Sequence, residues 1–223
     1  VVLEEKRTTF FHNITHELKT PLTTISGYAQ IIGERAFDDI EFLQKASLKI
    51  RKESERLNEM VTQLLALSKY QSHVPASIHE TVDVYPILQS VCEDLHMMAA
   101  PRDMKIHLQG RPYIVECSPN EIQQLFINVI DNAILHGIPG CIIEITVDQE
   151  IMVTNPCVPI PPAIADNIFE PFVHSKSEGS SGLGIFICAD ITARHNGTIQ
   201  FEEKNGQAEI KIKIPQQKHV GNK

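Results

Sequence analysis

The chain of 223 residues is long enough for one or two domains, and 42% of these residues are hydrophobic, so it can bury a core without a disulfide or a metal staple. Its net charge of −8 argues against nucleic acid or an anionic membrane surface as a partner. It contains no apolar run of about 20 residues, and we expect no signal peptide. Its five cysteines are odd in number and form no CxxC pair, so we predict that they are reduced thiols in a cytosolic setting.

Two long helices are predicted for the first third of the chain. Apolar residues recur every three or four positions from Phe11 to Ile32 and again from Leu43 to Leu67, with an interruption at residues 33–39. This pattern predicts a hairpin of two helices, each of about 30 residues. Because one hairpin buries little apolar surface, we expect two copies to pair into a four-helix bundle, as a homodimer. An ordinary coiled-coil spacer fits the same pattern.

The polar segment at residues 72–77 is predicted to be a linker, because the long helical pattern ends there and a different residue pattern follows. The predicted domains are therefore residues 1–71 and 78–215, followed by a tail at 216–223. In the second domain, short strands alternate with helices, which predicts an α/β sandwich with one sheet covered by helices. The expected elements are a strand at TVDVY, a helix at 86–99, a strand pair KIHLQ and YIVEC, a helix at 119–136 capped by Ser118, strands at IIEITVD and EIMVTN, a helix from about Gly182, and a hairpin across Asn205-Gly206.

His16 is predicted to point outward from the first helix, because it lies about 200° of helical rotation from Ile14 and Leu18 on the apolar stripe. Glu17 is its neighbour, and His12 lies four residues before it on the same face. An exposed histidine beside a carboxylate has three interpretations. It is an ordinary surface side chain, part of a metal site with His12 that would have too few ligands, or a nucleophile whose ring Glu17 orients and deprotonates.

Pro21 falls within this helical pattern. A proline inside a helix removes a hydrogen bond and bends the axis, at a cost of ~3 kcal/mol. Either Thr20 caps a new helix that has Pro21 at its first position, or one helix runs through both residues. The apolar positions 18, 22 and 25 remain in phase, which favours a single kinked helix.

The segment FFHNITHELKTPLT resembles the phosphoacceptor box of bacterial sensor histidine kinases, where a Phe precedes Ser/Thr-His-Glu-Leu-Arg/Lys-Thr-Pro-Leu. The resemblance implies that His16, rather than His12, is phosphorylated, and that Glu17 serves as its base. It also implies that Thr20 holds a water molecule for dephosphorylation of a partner protein. In this family, the kink at the proline helps to transmit signals.

The second half resembles the Bergerat-fold ATPases that supply phosphate in this family. QQLFINVIDNAILHG is similar to the N box, which implies that Asn132 binds Mg²⁺ and that Asn128 replaces the glutamate base of hydrolytic relatives. IFEPF is similar to the F box, and GSSGLGIFI to the second glycine box. The family's nucleotide contacts would then include Gly182, Leu183 and Gly184, at a helix N-terminus, and Lys176, in a mobile lid at 173–181. The implied cofactors are ATP and Mg²⁺.

Two boxes depart from the family pattern. The first glycine box, Asp-x-Gly-x-Gly-Ile, is represented by NPCVPI, which has Asn155 for the aspartate and Cys157 and Pro159 for the glycines. Asn155 is still expected to accept a hydrogen bond from the adenine amino group, with lower affinity. After the N box, Leu135 replaces the usual lysine, and His136 is expected to substitute for it in part.

The resemblance covers about residues 8–214 and implies the catalytic core of a dimeric sensor histidine kinase. Such a core transfers the γ-phosphoryl group of Mg·ATP to His16, passes it to an aspartate in the receiver domain of a response regulator, and often removes it again. We also expect a cytoplasmic portion of a parent protein that is anchored in the bacterial membrane through segments outside this chain. A dimeric scaffold with a degraded nucleotide pocket, or a member in which phosphatase activity dominates, is the alternative.

Overall fold

The computed structural model describes residues 2–35, 39–71, 80–173 and 182–216. These residues divide into two compact units, which are residues 2–35 and 39–71 with 182–183, and residues 80–173 with 184–216. The predicted linker at 72–77, the lid from residue 174 to 181 and the tail from residue 217 lie outside the described residues.

The first unit contains the predicted helical hairpin, with α1 at Val2–Arg35 and α2 at Ile40–Gln71 packed against each other. Asp39 caps α2, since its Oδ1 accepts a hydrogen bond from the Phe42 N–H at 2.9 Å. Five large apolar side chains of the hairpin nevertheless remain at least 40% exposed: Leu22, Ile31, Ile40, Leu48 and Val61. The hairpin by itself therefore leaves much of its apolar surface uncovered.

Helix α1 continues through Pro21 without interruption, so the single-helix interpretation is confirmed. Thr20 lies in the helix interior, and its hydroxyl donates to the carbonyl of His16 at 3.2 Å. The alternative in which Thr20 caps a new helix is wrong, because the side chain bonds backward to residue i−4 rather than forward to a free N–H.

The second unit is an α/β sandwich built on a five-stranded sheet. Its order is β2-β4-β5-β7-β6, in which β2 and β4 are parallel and every other pair is antiparallel. Strands β1 and β3 form a separate two-stranded sheet. The strands are β1 (Glu80–Asp83), β2 (Lys105–Gly110), β3 (Ile114–Cys117), β4 (Ile142–Val147), β5 (Ile151–Pro156), β6 (Thr198–Lys204) and β7 (Gln207–Lys213).

The helices of this unit confirm the predicted sandwich. They are α3 (Val84–Ala99), a 3₁₀ turn (Ala100–Arg102), α4 (Pro119–His136), the short α5 (Pro162–Ala165) and α6 (Gly184–Arg194). Helix α4 packs against both α3 and α6, and burial alternates along β4 and β5, as expected when helices cover one face of a sheet. None of the described helices is long and apolar enough to cross a membrane.

The expected strand pair KIHLQ and YIVEC is wrong, because β2 pairs with β4 and β3 pairs with β1. The reason lies at Tyr113, which is fully buried. Its N–H donates to the Asp83 carboxylate at 2.9 Å and its hydroxyl to the Ile214 carbonyl at 2.8 Å. These bonds hold the start of β3 beside Asp83, the last residue of β1, so β3 pairs with β1 in the small sheet.

The predicted hairpin turn at Asn205-Gly206 and the predicted helix cap at Ser118 had different outcomes. Asn205 and Gly206 both have positive φ, 55° and 74°, which confirms a two-residue hairpin turn between β6 and β7. Ser118 stands at the start of α4, but its side chain makes no capping hydrogen bond, so that part of the prediction is wrong. Its N–H instead donates at 3.1 Å to Nε2 of His195, a buried residue just after α6.

Candidate functional site

His16 is presented to solvent on α1, as its position relative to the apolar stripe predicts. His16, His12 and Thr20 are exposed, whereas Ile14 and Leu18 are partly covered. The rings of His12 and His16 meet edge to face with their centroids 4.7 Å apart. In the described ranges no group of three or more His, Cys, Asp or Glu side chains could hold a metal ion, which argues against the metal-site interpretation.

Glu17, next to His16, is joined to the second helix of the hairpin. Its Oε2 lies 3.3 Å from Nη2 of Arg56, and the two side chains are only 27% and 21% exposed. The guanidinium thereby orients the carboxylate that follows the histidine. Sequence reasoning missed Arg56, because it lies 39 positions away and has the composition of an ordinary charged residue on a helix.

We predict that Arg56→Met lowers the rate of autophosphorylation several-fold, because the Glu17 carboxylate loses the cation that orients it. The loss of folding free energy should be small, about 1 kcal/mol or less, since the pair keeps some solvent contact. The initial rate of label incorporation and the melting temperature measure these two effects. The matched control is Arg51→Met, which removes an exposed pair with Glu55 on the same helix. Equal rates in the two variants would contradict a role for Arg56.

Helix α4 presents one partly exposed stripe, opposite the face that packs into the core. Its members are Asn128, Asp131, Asn132, Leu135 and His136, at spacings of three and four residues. The intervening residues are buried: Val129, Ile130, Ala133 and Ile134. The structure thus brings the two predicted asparagines together on one accessible face, with His136 at the end of the same helix.

The two asparagines have different surroundings. Asn128 accepts a hydrogen bond from Gln124 at 2.9 Å, and its amide also faces the buried thiol of Cys188 on α6. The Asn132 side chain has no hydrogen-bond partner in the part of the chain that the structure describes. Beside it, burial raises the pKa of the Asp131 carboxyl. Asn132 is therefore the amide whose oxygen is available to an incoming ligand.

Asn155 lies at the end of β5 and approaches the C-terminal end of α4. It is 5% exposed, and its amide nitrogen donates to the Pro156 carbonyl at 3.1 Å, so the amide oxygen is the atom that can accept. A Cβ added to Gly137 would lie 3.2 Å from that nitrogen and 2.5 Å from the Ala133 carbonyl. Glycine at 137 therefore permits this approach, a requirement that the sequence pattern did not reveal.

The remaining predicted residues lie around the start of α6. Gly182 has a positive φ of 67°, a conformation that glycine adopts without strain, and Gly184 is the first residue of α6. Leu183 lies between them. Lys176 lies outside the described residues, so its predicted contact with phosphates stays a prediction.

All five cysteines are free thiols, as predicted for a reduced protein. Burial raises the pKa of Cys92 and Cys117 to about 11 and raises that of Cys188 further. These three side chains are therefore protonated at neutral pH and behave as small apolar groups rather than as nucleophiles.

Two protein families match the chain. The His Kinase A (phospho-acceptor) domain matches residues 6–73, which include His16 and Arg56. The histidine kinase-, DNA gyrase B- and HSP90-like ATPase matches residues 117–218, which include Asn132. The chain therefore belongs to the sensor histidine kinases, with a phosphoacceptor domain followed by an ATPase domain.

Individual relatives agree with this assignment. The probable sensor histidine kinase TcrY of Mycobacterium tuberculosis is 28% identical over 216 residues, which are 92% of this chain and 45% of that protein. The sensor protein kinase WalK of Staphylococcus epidermidis is 28% identical over 226 residues, 96% of this chain and 37% of that protein. The chain thus spans less than half the length of either relative.

Solved structures show the same fold. The histidine kinase AdeS of Acinetobacter baumannii aligns with a TM-score of 0.71 and 24% identity, over 91% of this chain and 98% of that one. The histidine kinase ThkA, in complex with the response regulator protein TrrA, aligns with a TM-score of 0.75 and 22% identity, over 94% of this chain and 61% of that one.

Proposed function

We propose that this chain phosphorylates itself on His16 with the γ-phosphoryl group of Mg·ATP and then passes the group to an aspartate of a response regulator. The observation that carries the proposal is the exposed His16, with the oriented Glu17 beside it, on the helix that matches the phosphoacceptor family. The exposed ring can reach a nucleotide, whereas a histidine in the core could not.

The chemistry requires an in-line attack by a neutral ring nitrogen of His16 on the γ-phosphorus. A P–N bond forms while the bond from that phosphorus to the bridging oxygen of ADP breaks, and the ring proton passes to Glu17. Transfer of this kind depends mainly on positioning and on neutralising the phosphate charge. Arg56 contributes by orienting Glu17.

The nucleotide contacts are proposed from the sequence motifs that resemble the N box and the glycine boxes. The positions of Asn132 and Asn155 in the second unit support them. Asn132 offers an amide oxygen without a protein partner, which suits Mg²⁺ because this ion prefers oxygen ligands. When bound, Mg²⁺ supplies neutralisation of the phosphate charge. Asn155 presents its amide oxygen as an acceptor for the adenine amino group. The proposed phosphate contacts are Asn128, His136, Lys176, Gly182, Leu183 and Gly184.

Two partners are proposed. The exposed apolar side chains on α1 and α2 support a homodimer, in which a second hairpin would cover them. The complex of the fold relative ThkA with TrrA supports a response regulator as the second partner. By similarity to the sensor kinases TcrY and WalK, we also propose a cytoplasmic location and a parent protein in the bacterial membrane.

The deciding experiment is incorporation of label from γ-labelled ATP into the purified chain. We expect a labelled product that is labile in acid and stable in base, as a phosphoramidate is. If a folded chain takes up no label, the dimeric-scaffold alternative replaces the kinase, since Asn155 and Leu135 weaken the family pattern. If label is incorporated but dephosphorylation of the regulator is much faster than transfer to it, the phosphatase-dominant alternative holds.

We predict that Thr20→Ala separates two activities of α1. Autophosphorylation should stay within several-fold of wild type, because it needs no water, whereas most dephosphorylation of the response regulator should be lost. The Thr20 hydroxyl is exposed one turn beyond His16, where it can hold a water molecule while it donates to the His16 carbonyl. Both rates and the melting temperature are measured on one preparation.

The control for this variant is Thr23→Ala on the same helix. Its exposed hydroxyl makes the same kind of bond, to the Lys19 carbonyl at 2.8 Å, so the control reproduces the loss of a side-chain bond to the backbone. Equal losses of both activities in Thr20→Ala, together with a lowered melting temperature, would leave Thr20 a purely structural residue.

A further inference from the structure

The C-terminal end of α4 is held by one arginine from a different part of the chain. Arg102 closes the 3₁₀ turn that follows α3, and its guanidinium is partly buried. Its Nη1 donates to the carbonyls of Ile134 and Leu135, the latter at 2.7 Å, and its Nη2 donates to the Gly137 carbonyl at 2.9 Å. The last carbonyls of a helix lack partners within the helix and carry partial negative charge, so a cation that bonds three of them stabilises this end.

The backbone around Arg102 ties the same helix end to the sheet. The carbonyl of Arg102 accepts from the Gly140 N–H at 3.0 Å, in the turn that follows α4. In that turn the Ile138 N–H donates to the Pro156 carbonyl at 3.0 Å, at the end of β5. The residue before Pro156 is Asn155, whose amide approaches Gly137. Arg102 is thus bonded both to the end of α4 and to the turn that aligns α4 with β5.

We propose that Arg102 is a positioning residue for nucleotide binding, which fixes the end of α4 relative to Asn155. The proposal rests on the function proposed above, because it takes Asn132 and Asn155 as nucleotide contacts. The bonded carbonyls belong to residues 134, 135 and 137, within one and a half turns of Asn132. Loss of the guanidinium would allow this end of α4 to fray or shift. The distance between Asn132 and Asn155 would then no longer be fixed.

Arginine suits this position better than lysine. Its planar guanidinium directs several N–H groups at once and can bond three separate carbonyls, whereas the single ammonium of lysine cannot span the same set. Arg102→Lys should therefore keep the charge at the helix end and recover only part of the effect. Arg102→Met keeps the apolar stem but loses both the charge and the hydrogen bonds, so it should show the full effect.

The test measures nucleotide affinity, the Michaelis constant for ATP, the turnover at saturating ATP and the melting temperature for the whole chain. We expect Arg102→Met to weaken binding of Mg·ATP by roughly tenfold or more, the size of loss seen when a group that orients binding residues is removed. The Michaelis constant should rise with it, while turnover at saturating ATP changes much less. Arg102→Lys should lie between Arg102→Met and wild type.

The matched control is Arg111→Met, which removes an exposed arginine that pairs with Asp148 in the same unit and should leave affinity unchanged. A lowered melting temperature with unaltered affinity in Arg102→Met would overturn the proposal and leave Arg102 a structural cap. If Arg102→Met does not fold, the comparison of Arg102→Lys with wild type decides, and equal affinity in those two would overturn it.

Amide hydrogen exchange separates this proposal from the proposed function. In Arg102→Met the amides of residues 137–141 should exchange faster than in wild type, whether or not nucleotide is present. If the wild-type chain binds no ATP, the proposed function fails on that result alone. Unchanged exchange at residues 137–141 would instead show that Arg102 does not hold the helix end.

Discussion

Replacing His16 with glutamine is expected to abolish autophosphorylation and to leave binding of Mg·ATP close to the wild-type value. Glutamine keeps the helix and a polar side chain on the exposed face but has no ring nitrogen to attack phosphorus. The proposed nucleotide contacts on α4 and β5 belong to the second compact unit and His16 to the first, so affinity should not change. Label incorporation and calorimetric titration with Mg·ATP measure the two quantities.

The control for this variant is His12→Gln, because the ring of His12 lies beside that of His16, with the centroids 4.7 Å apart. His12→Gln should still be labelled, and its product should keep the acid lability of a phosphoramidate. Label that survives in His16→Gln would assign the phosphoryl group to another residue, and loss of label in the double variant would then identify His12. A drop in ATP affinity in His16→Gln would contradict the separation of acceptor and nucleotide contacts.

The helices of this protein could be predicted from periodicity because each is a local pattern. The spacing of apolar residues predicts both long helices, and the phase maintained across Pro21 correctly favours one continuous helix. The hairpin turn at Asn205-Gly206 is equally local, since only these two residues need positive φ. Both kinds of signal are complete within a few consecutive residues.

The pairing of β2 and β3 could not be predicted in this way. Both segments are predicted as strands, but their partners are set by distant parts of the chain. Strand β2 pairs with β4, and the hydroxyl of Tyr113, just before β3, bonds Ile214 about a hundred positions further along. Parallel strands also need a long crossover, and here the connection between β2 and β4 runs through β3 and α4. Adjacency in sequence is therefore a poor guide to adjacency in this sheet.

The residues of the candidate site also differ in whether a local pattern reveals them. The pair Asn128 and Asn132 is visible from a spacing of four, and the structure places both on one face. Arg56 and Arg102 were missed because each acts across 30 or more positions, where a charged residue looks like any other. The need for glycine at position 137, where a Cβ would crowd the Asn155 amide, depends on the fold and is not visible in a local pattern.

Replacing Asn132 with alanine is expected to remove Mg²⁺-dependent binding of nucleotide without unfolding the second unit. The Asn132 side chain is partly exposed and has no hydrogen-bond partner among the described residues, so its loss leaves no buried polar group unsatisfied. Alanine also favours the helix, by up to ~0.7 kcal/mol relative to other ordinary residues, so the melting temperature should stay level or rise slightly. Affinity should fall because the amide oxygen that would ligate the ion is gone.

Calorimetric titration of ATP with and without Mg²⁺ measures this effect, and circular dichroism follows unfolding. The wild-type chain should bind more tightly when Mg²⁺ is present, and Asn132→Ala should lose that difference. The matched control is Gln123→Ala, which removes an exposed amide from the same helix outside the stripe that carries Asn128 and Asn132, and it should bind as wild type does. Both substitutions replace an amide side chain on α4 with alanine, so they change helix propensity in a similar way. A difference in Mg·ATP affinity between them is therefore due to the position of the lost amide. Unaltered affinity for Mg·ATP in Asn132→Ala, with the fold intact, would remove Asn132 from the metal site and with it the assignment of α4 as the N-box helix.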